Sequence, residues 1–327
     1  MPVAKRLIGA LSLLALGVTV MATRTAEGAE PTTSNVGAAA ISSYTFAVIG
    51  DTPYSAPERK QFPALVREIN GHPAVSMVLH AGDIKGGEAK CNNAVYQDRL
   101  TLFNTFADPF VLTPGDNEWT DCHREGPGQY VPTERLDYLR QQLYPRPGVT
   151  LGLSRTVVTQ ASSPSYSKFR ENVRFERAGA VIASVHVVGS NNGRGKWLGL
   201  PGGDQPAARK AEYQARDAAN VAWIGAAFDR AEVTGASGVV LLMQAEPKEK
   251  SSYLAVRNRI VARSRAFDGK VLIIHGNEHH YEFERSFAGV ANLTRLETFG
   301  TTATQWLQLT VDPSTRAVFS WTPREVS

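Results

Sequence analysis

YTFAVIGDTPY, residues 44–54, starts as one kind of structure and stops as another. Tyr44 to Gly50 is a short apolar run rich in aromatic and β-branched residues, which reads as a strand with both faces covered. It ends abruptly at Asp51-Thr52-Pro53-Tyr54, where the glycine allows a sharp turn and a carboxylate follows at once. The pattern returns twice. Val75 to His80 (VSMVLH) ends at Ala81-Gly82-Asp83, and Phe110 to Thr113 (FVLT) ends at Pro114-Gly115-Asp116-Asn117-Glu118. Helical spacing fills the intervals. Residues 58–70 place Phe62, Leu65, Val66 and Ile69 on one side, with Pro63 weakening the first turn, and Tyr96 to Phe106 forms the next helix. Strand, helix, strand in alternation predicts a parallel or mixed sheet covered by helices. In such sheets ligands gather at the carboxyl ends of the strands, where these acidic residues stand.

Outward from that unit, residues 124–175 are rich in Pro, Gly and Arg and read as a long elaborated loop region, with a short helix at Glu134 to Leu143. Val181 to Val188 is a strand running into Gly189-Ser190-Asn191-Asn192-Gly193. Residues 208–231 carry the clearest helical spacing, with Val221, Ile224, Ala227 and Phe228 on one side. Gly238 to Met243 and Val271 to His275 are further buried strands. The latter ends at a fourth motif, Gly276-Asn277-Glu278-His279-His280. Trp306 to Val311 and Ala317 to Trp321 close the chain as strands. Residues 44–327 contain no linker that divides them, so they read as a single domain.

The start of the chain is a targeting segment. Lys5 and Arg6 precede the apolar, uncharged run Leu7 to Ala22, and small residues stand at Val20-Met21-Ala22, with Ala29 a second cleavage candidate. Residues 1–22 therefore read as a secretory signal peptide rather than a retained anchor, and 23–43 as a flexible lead-in. The implied location is periplasmic or secreted, with no transmembrane segment after signal removal. Two cysteines, Cys91 and Cys122, suggest one disulfide in an exported chain. The formal charge of +4 falls by two when Lys5 and Arg6 leave with the signal. With no basic stripe interleaved with aromatics, there is no nucleic-acid-binding signature.

Converging carboxylates repel unless a cation neutralises them, so the four strand-end motifs together suggest a metal site. In order and spacing they resemble the calcineurin-like metallophosphoesterases, whose pattern is D-x-H, G-D, G-N-H-[DE], a strand with a His, then G-H-x-H. The resemblance runs from about Tyr44 to the C-terminal strands. It implies a four-layer α/β sandwich, two mixed sheets face to face with helices outside. It also implies hydrolysis of phosphoester bonds by a metal-activated water.

The departures are specific. Asp51 matches the first Asp, but Pro53 stands where a His belongs. Asp83 matches the Asp shared by both metals. Asp116 replaces the Asn ligand, Asn117 replaces the catalytic His, and Glu118 keeps the last acidic place. Asn277 replaces one His of the last motif and His279 keeps the other, while Ala245 stands where a strand-end His is expected. The resemblance thus assigns metal ligation to Asp51, Asp83, Asp116, His279 and Asn277, with Glu118 orienting Asn117. The donor set has become oxygen-rich, which favours a harder metal such as Mg, Mn or Ca, or a single occupied site; one ion or two, with Fe and Zn still open, fit the pattern.

Other polar residues take supporting roles. His80 and His275 each precede a motif glycine and are read as orienting a ligand carboxylate or as core histidines. Asn191 and Asn192 are candidate donors to a substrate phosphate, or a plain turn. Tyr54 reads as a surface turn residue, with a phenolate ligand like that of the purple acid phosphatases as the weaker alternative; His186 reads as core, His123 and His280 as substitutes for the missing general acid, and Arg124 and Lys85 as phosphate clamps. The expected function is an exported metal-dependent phosphoesterase acting on a small-molecule or other phosphoester substrate. The alternative is a non-catalytic exported binding protein on the same fold.

Overall fold

The apolar runs become strands buried on both faces, because each is sandwiched between a helical layer and a second sheet. A computed structural model describes residues 42–326. The expected signal peptide and nearly all of the lead-in lie outside the described residues. In chain order the first half comprises β1 (Tyr44–Ile49), α1 (Ala56–Gly71), β2 (Val75–His80), α2 (Asn93–Phe103), β3 (Pro109–Leu112), α3 (Pro132–Leu143) and β4 (Leu151–Gly152). Next come β5 (Val158–Thr159), β6 (Val173–Arg177), β7 (Ala180–Ser184), a single turn α4 (Gly189–Asn192) and the long α5 (Pro206–Thr234). The chain finishes with β8 (Gly238–Leu242), α6 (Leu254–Ala266), β9 (Lys270–His275), β10 (Glu282–Arg285), β11 (Leu293–Glu297), β12 (Gln305–Asp312) and β13 (Val318–Glu325).

The strands make two mixed sheets. A six-stranded sheet has the order β13-β12-β1-β2-β3-β4, and a seven-stranded sheet the order β10-β11-β9-β8-β7-β6-β5. Parallel pairing runs β1-β2-β3 in one and β7-β8-β9-β11 in the other. Alternation along each strand divides the core into three layers. Phe46, Val48, Met77 and Leu79 meet Ile182, Val240, Leu242 and Ile274 between the sheets. Ala47, Ile49 and Val78 face Phe62 and Leu65 of α1 and Phe103 of α2. Val239, Leu241 and Ile273 face Ile224 and Phe228 of α5 and Ile260 of α6. This is the four-layer α/β sandwich the resemblance implies.

Several boundaries move. The helix expected at Tyr96 to Phe106 starts earlier, because the Asn92 side chain accepts from Val95 N–H and caps it. Pro63 lies inside α1 without ending it. The strand expected to run to Val188 leaves its ladder at Ser184, and Val187 C=O instead accepts the N–H groups of Gln244 and Ala245. The stretch 124–175, which reads as loop from sequence, contains β4, β5 and the start of β6, and α6, β10 and β11 form where the sequence pattern predicts no element.

Candidate functional site

The carboxyl ends of β1, β2 and β3 and those of β7, β8 and β9 face one another across a single edge of the sandwich. Asp51, Asp83 and Asp116 follow the first three strands; Ser190, Gln244 and Asn277 follow the second three. Asp51, Asp83, Asn277 and His279 all have positive φ, at 52°, 56°, 80° and 64°. Non-glycine residues seldom adopt that backbone, and surrounding structure must hold them there. Neighbouring glycines make the room. A Cβ on Gly115 would lie 2.0 Å from Asp83 Oδ1, and one on Gly276 would lie 1.9 Å from Asp51 Oδ2.

Two polar clusters share Asp83. At the first, the Tyr54 hydroxyl lies 2.7 Å from Asp83 Oδ2, 3.1 Å from Asp51 Oδ1 and 3.1 Å from His279 Nε2. Asn117 Nδ2 donates to both the Tyr54 hydroxyl and Asp83 Oδ2, at 3.0 Å each. At the second, the Gln244 amide nitrogen donates toward Asp83 Oδ2, Asp116 Oδ1 and Asn277 Oδ1 at 3.1, 3.0 and 2.8 Å. Ser190 Oγ lies 2.7 Å from Asp116 Oδ2 and 2.7 Å from Asp121 Oδ1.

The charge here is unbalanced. Asp51, Asp83, Asp116 and Glu118 are all buried. The Lys85 ammonium interacts with Glu118 and Asp83, but its Nζ is committed to the Gly86 and Ala89 carbonyls, and burial lowers its pKa to about 8. Burial drives the Asp83 carboxyl well above its usual range, and Asp116, Glu118 and Asp51 push it further. Burial raises Asp116 to about 7, reinforced by Asp121 and opposed by Ser190. Asp51 is raised by burial against the pull of His279. Burial and the Asp83 carboxylate keep the Tyr54 phenol protonated.

The model for calcineurin-like phosphoesterases matches residues 44–201. Over that stretch, just under half of its length, the chain is similar to that superfamily. Its departures in the ligand positions are those of a divergent branch. No curated protein matches it. Similar solved structures include GAP50, the anchor in the inner membrane complex of Plasmodium, at 11% identity and TM-score 0.43 over 87% of this chain and 89% of that one. Purple acid phosphatase PPD1 from yellow lupin (Lupinus luteus) seeds is 9% identical with TM-score 0.41, over 87% of this chain and 54% of that one. The calcineurin-like phosphoesterase YfkN from Bacillus subtilis is 10% identical with TM-score 0.39, over 87% and 91%.

Against the metallophosphoesterase pattern, the fit to divalent cations differs between the two clusters. The first offers two carboxylate oxygens and an imidazole nitrogen around the Tyr54 hydroxyl, a donor set that suits a divalent cation once that hydroxyl yields its central place. The second does not fit, since an amide N–H₂ group stands among its oxygens. Among the described residues no three His, Cys, Asp or Glu side chains are drawn together as a ready cation site. The physical reason is that Tyr54 and Gln244 stand between the acidic groups.

Several expected roles change. Glu118 Oε1 accepts from the Asp83 and Gly115 N–H groups, so it braces two loops and does not orient Asn117. His80 Nδ1 accepts from Gly82 N–H while its Nε2 contacts Thr52 C=O; burial holds its pKa at about 4, so it is neutral and braces backbone, not a carboxylate. His275 contacts Gly276 C=O and Arg295 in the same way, also at about 4 through burial. Asn192 is consumed by Arg216 and Ser252, and Asn191 accepts from Ser252; Ser190 is the residue of that turn that reaches the acidic cluster. His123 and His280 make no hydrogen bond to the cluster: His123 Nδ1 accepts from Gly199 N–H, and His280 Nδ1 meets Glu278 C=O. Arg124 pairs with Asp121. Ala245 is core, and the strand-end side chain that enters is Gln244, one residue earlier. A disulfide joins Cys91 to Cys122, tying the loop after β2 to the segment after β3.

Proposed function

We propose that the chain is an exported phosphoester hydrolase working with one divalent cation held by Asp51, Asp83 and His279, with Tyr54 beside them. The observation that carries this is a buried cluster of four carboxylates, Asp51, Asp83, Asp116 and Glu118, which His279 and Lys85 compensate only in part among the described residues. Taking such charges out of water costs several kcal/mol per ion unless a partner is supplied. A bound cation there would supply positive charge to the phosphoryl oxygens as ester hydrolysis proceeds.

The chain's own residues would do the rest. Asn117 holds Asp83 through its side-chain and backbone N–H groups. It cannot give a leaving group a proton, because an amide is not an acid at neutral pH. Asp116 can hold and release one near pH 7 at a carboxylate oxygen, since burial raises it to about 7. Export is supported by the apolar leader and by the disulfide.

A specific observation also favours a non-catalytic binding protein: the Gln244 amide fills one cluster and the general-acid histidine is replaced by Asn117. The discriminating experiment is hydrolysis of a monoester and a diester reporter with Mg, Mn, Ca, Fe and Zn. Metal-dependent turnover that Asp83→Asn abolishes supports the hydrolase. Equal trace rates for both proteins leave the binding protein.

A further inference from the structure

We infer that the Gln244 side chain takes the place of a second cation, so that this edge admits one metal ion and excludes another. The inference rests on the cation reading above only for the first cluster.

Gln244 directly follows the apolar run of β8 and Met243, and it is fully buried. Its amide has one permitted sense. Oε1 accepts from Gly189 N–H at 2.7 Å, which leaves Nε2 directed at Asp83, Asp116 and Asn277. Turning the amide over would set N–H₂ against the Gly189 N–H and an oxygen against three oxygens. Gln244 therefore cannot offer its oxygen to a metal without losing its anchor.

Distance excludes sharing. Divalent cations lie ~2.0–2.6 Å from their oxygen ligands. A cation bound by Asp83 Oδ2, Asp116 Oδ1 and Asn277 Oδ1 would fall on the nitrogen that already lies 2.8–3.1 Å from all three. Nor is the side chain free to swing out. A Cβ on Gly82 would meet Gln244 Cβ and Cγ at 2.8 Å, so the backbone after β2 already packs against its stem. Two N–H groups facing three oxygens satisfy hydrogen bonding but bring no full charge.

The test is metal content after dialysis against Mn²⁺, read by elemental mass spectrometry. Wild type is compared with Gln244→His and Gln244→Ala, each first confirmed as folded by thermal melting. Both variants are expected to hold one Mn²⁺ more per chain than wild type. Equal content in variants and wild type overturns the inference, as does a wild type that holds two, which needs no variant. A wild type that holds none while the variants hold one sinks the single-cation hydrolase and leaves the Gln244 assignment standing.

Discussion

Glu171 and Asp83 are equally well buried, yet their carboxyl groups shift in opposite directions. Burial alone would raise both. Glu171 accepts from Arg140 Nε at 3.1 and 3.0 Å and contacts His186 Nδ1 at 2.8 Å, and these partners outweigh burial and hold it well below its usual range. Asp83 receives only neutral donors, from Tyr54, Asn117 and Gln244, and looks onto further carboxylates. Where buried charge serves the scaffold, the chain folds with the countercharge in place. At the strand ends the carboxylates outnumber the cationic groups beside them, and that deficit supports the proposed cation.

The largest effect comes from breaking the compensated region. Arg140→Met strands the Glu171 carboxylate, and denaturant unfolding should show a loss of ~3–5 kcal/mol that added divalent cations do not restore. Next is the disulfide that ties the two acidic loops. Its cysteines lie 31 residues apart, and reducing it is expected to cost ~3–4 kcal/mol in the chain-entropy model. Reduction should also weaken Mn²⁺ binding, whereas Arg140→Met leaves it intact, as measured by titration calorimetry.

A smaller effect separates the regions by pH. His80, His186 and His275 have folded pKa values lowered by burial to about 4, so they fold neutral. Their contribution is complete above the unfolded pKa near 6.5 and is lost as pH falls toward 4. Asp116 has the opposite sign. Its folded pKa is raised to about 7, so in cation-free protein stability is lost as pH rises from about 4 through 7. Asp116→Asn can keep its bonds, accepting from Gln244 and donating to Ser190. Melting curves should show it more stable than wild type at pH 8, with the difference gone at pH 4. The smallest effect is on chemistry. Asn117→His should raise turnover of esters with poor leaving groups and leave a nitrophenyl ester nearly unchanged, because only the former need a proton.

How much of this was legible in the sequence follows the same division. Strands buried on both faces announce themselves as apolar runs, and Gly-Asp at their ends located Asp51, Asp83 and Asp116. What escaped lies where sequence periodicity is weak. VRFER of β6 and LTRLE of β11 carry charge inside the strand, and α6 buries only Val256, Ile260 and Ser264 along its length. Tyr54 ranks too low from sequence: as a phenolate ligand it is the weaker reading there, yet its long side chain returns from the turn to the centre of the first cluster. Gln244 escaped by one residue: the resemblance pointed to Ala245, yet a polar residue closing the run GVVLLM was the available signal.

The central claim is that the first cluster completes its charge with a metal ion. It is tested most directly by the melting temperature of dialysed protein with and without an excess of each divalent cation. At a hundredfold excess over Kd, a cation that binds only the folded state adds ~2.7 kcal/mol, or about 4–5 °C for a domain of this size. The account predicts such a rise with at least one of Mg, Mn, Ca, Fe and Zn in wild type, and none in Asp83→Asn. An unchanged melting temperature with all five would contradict it.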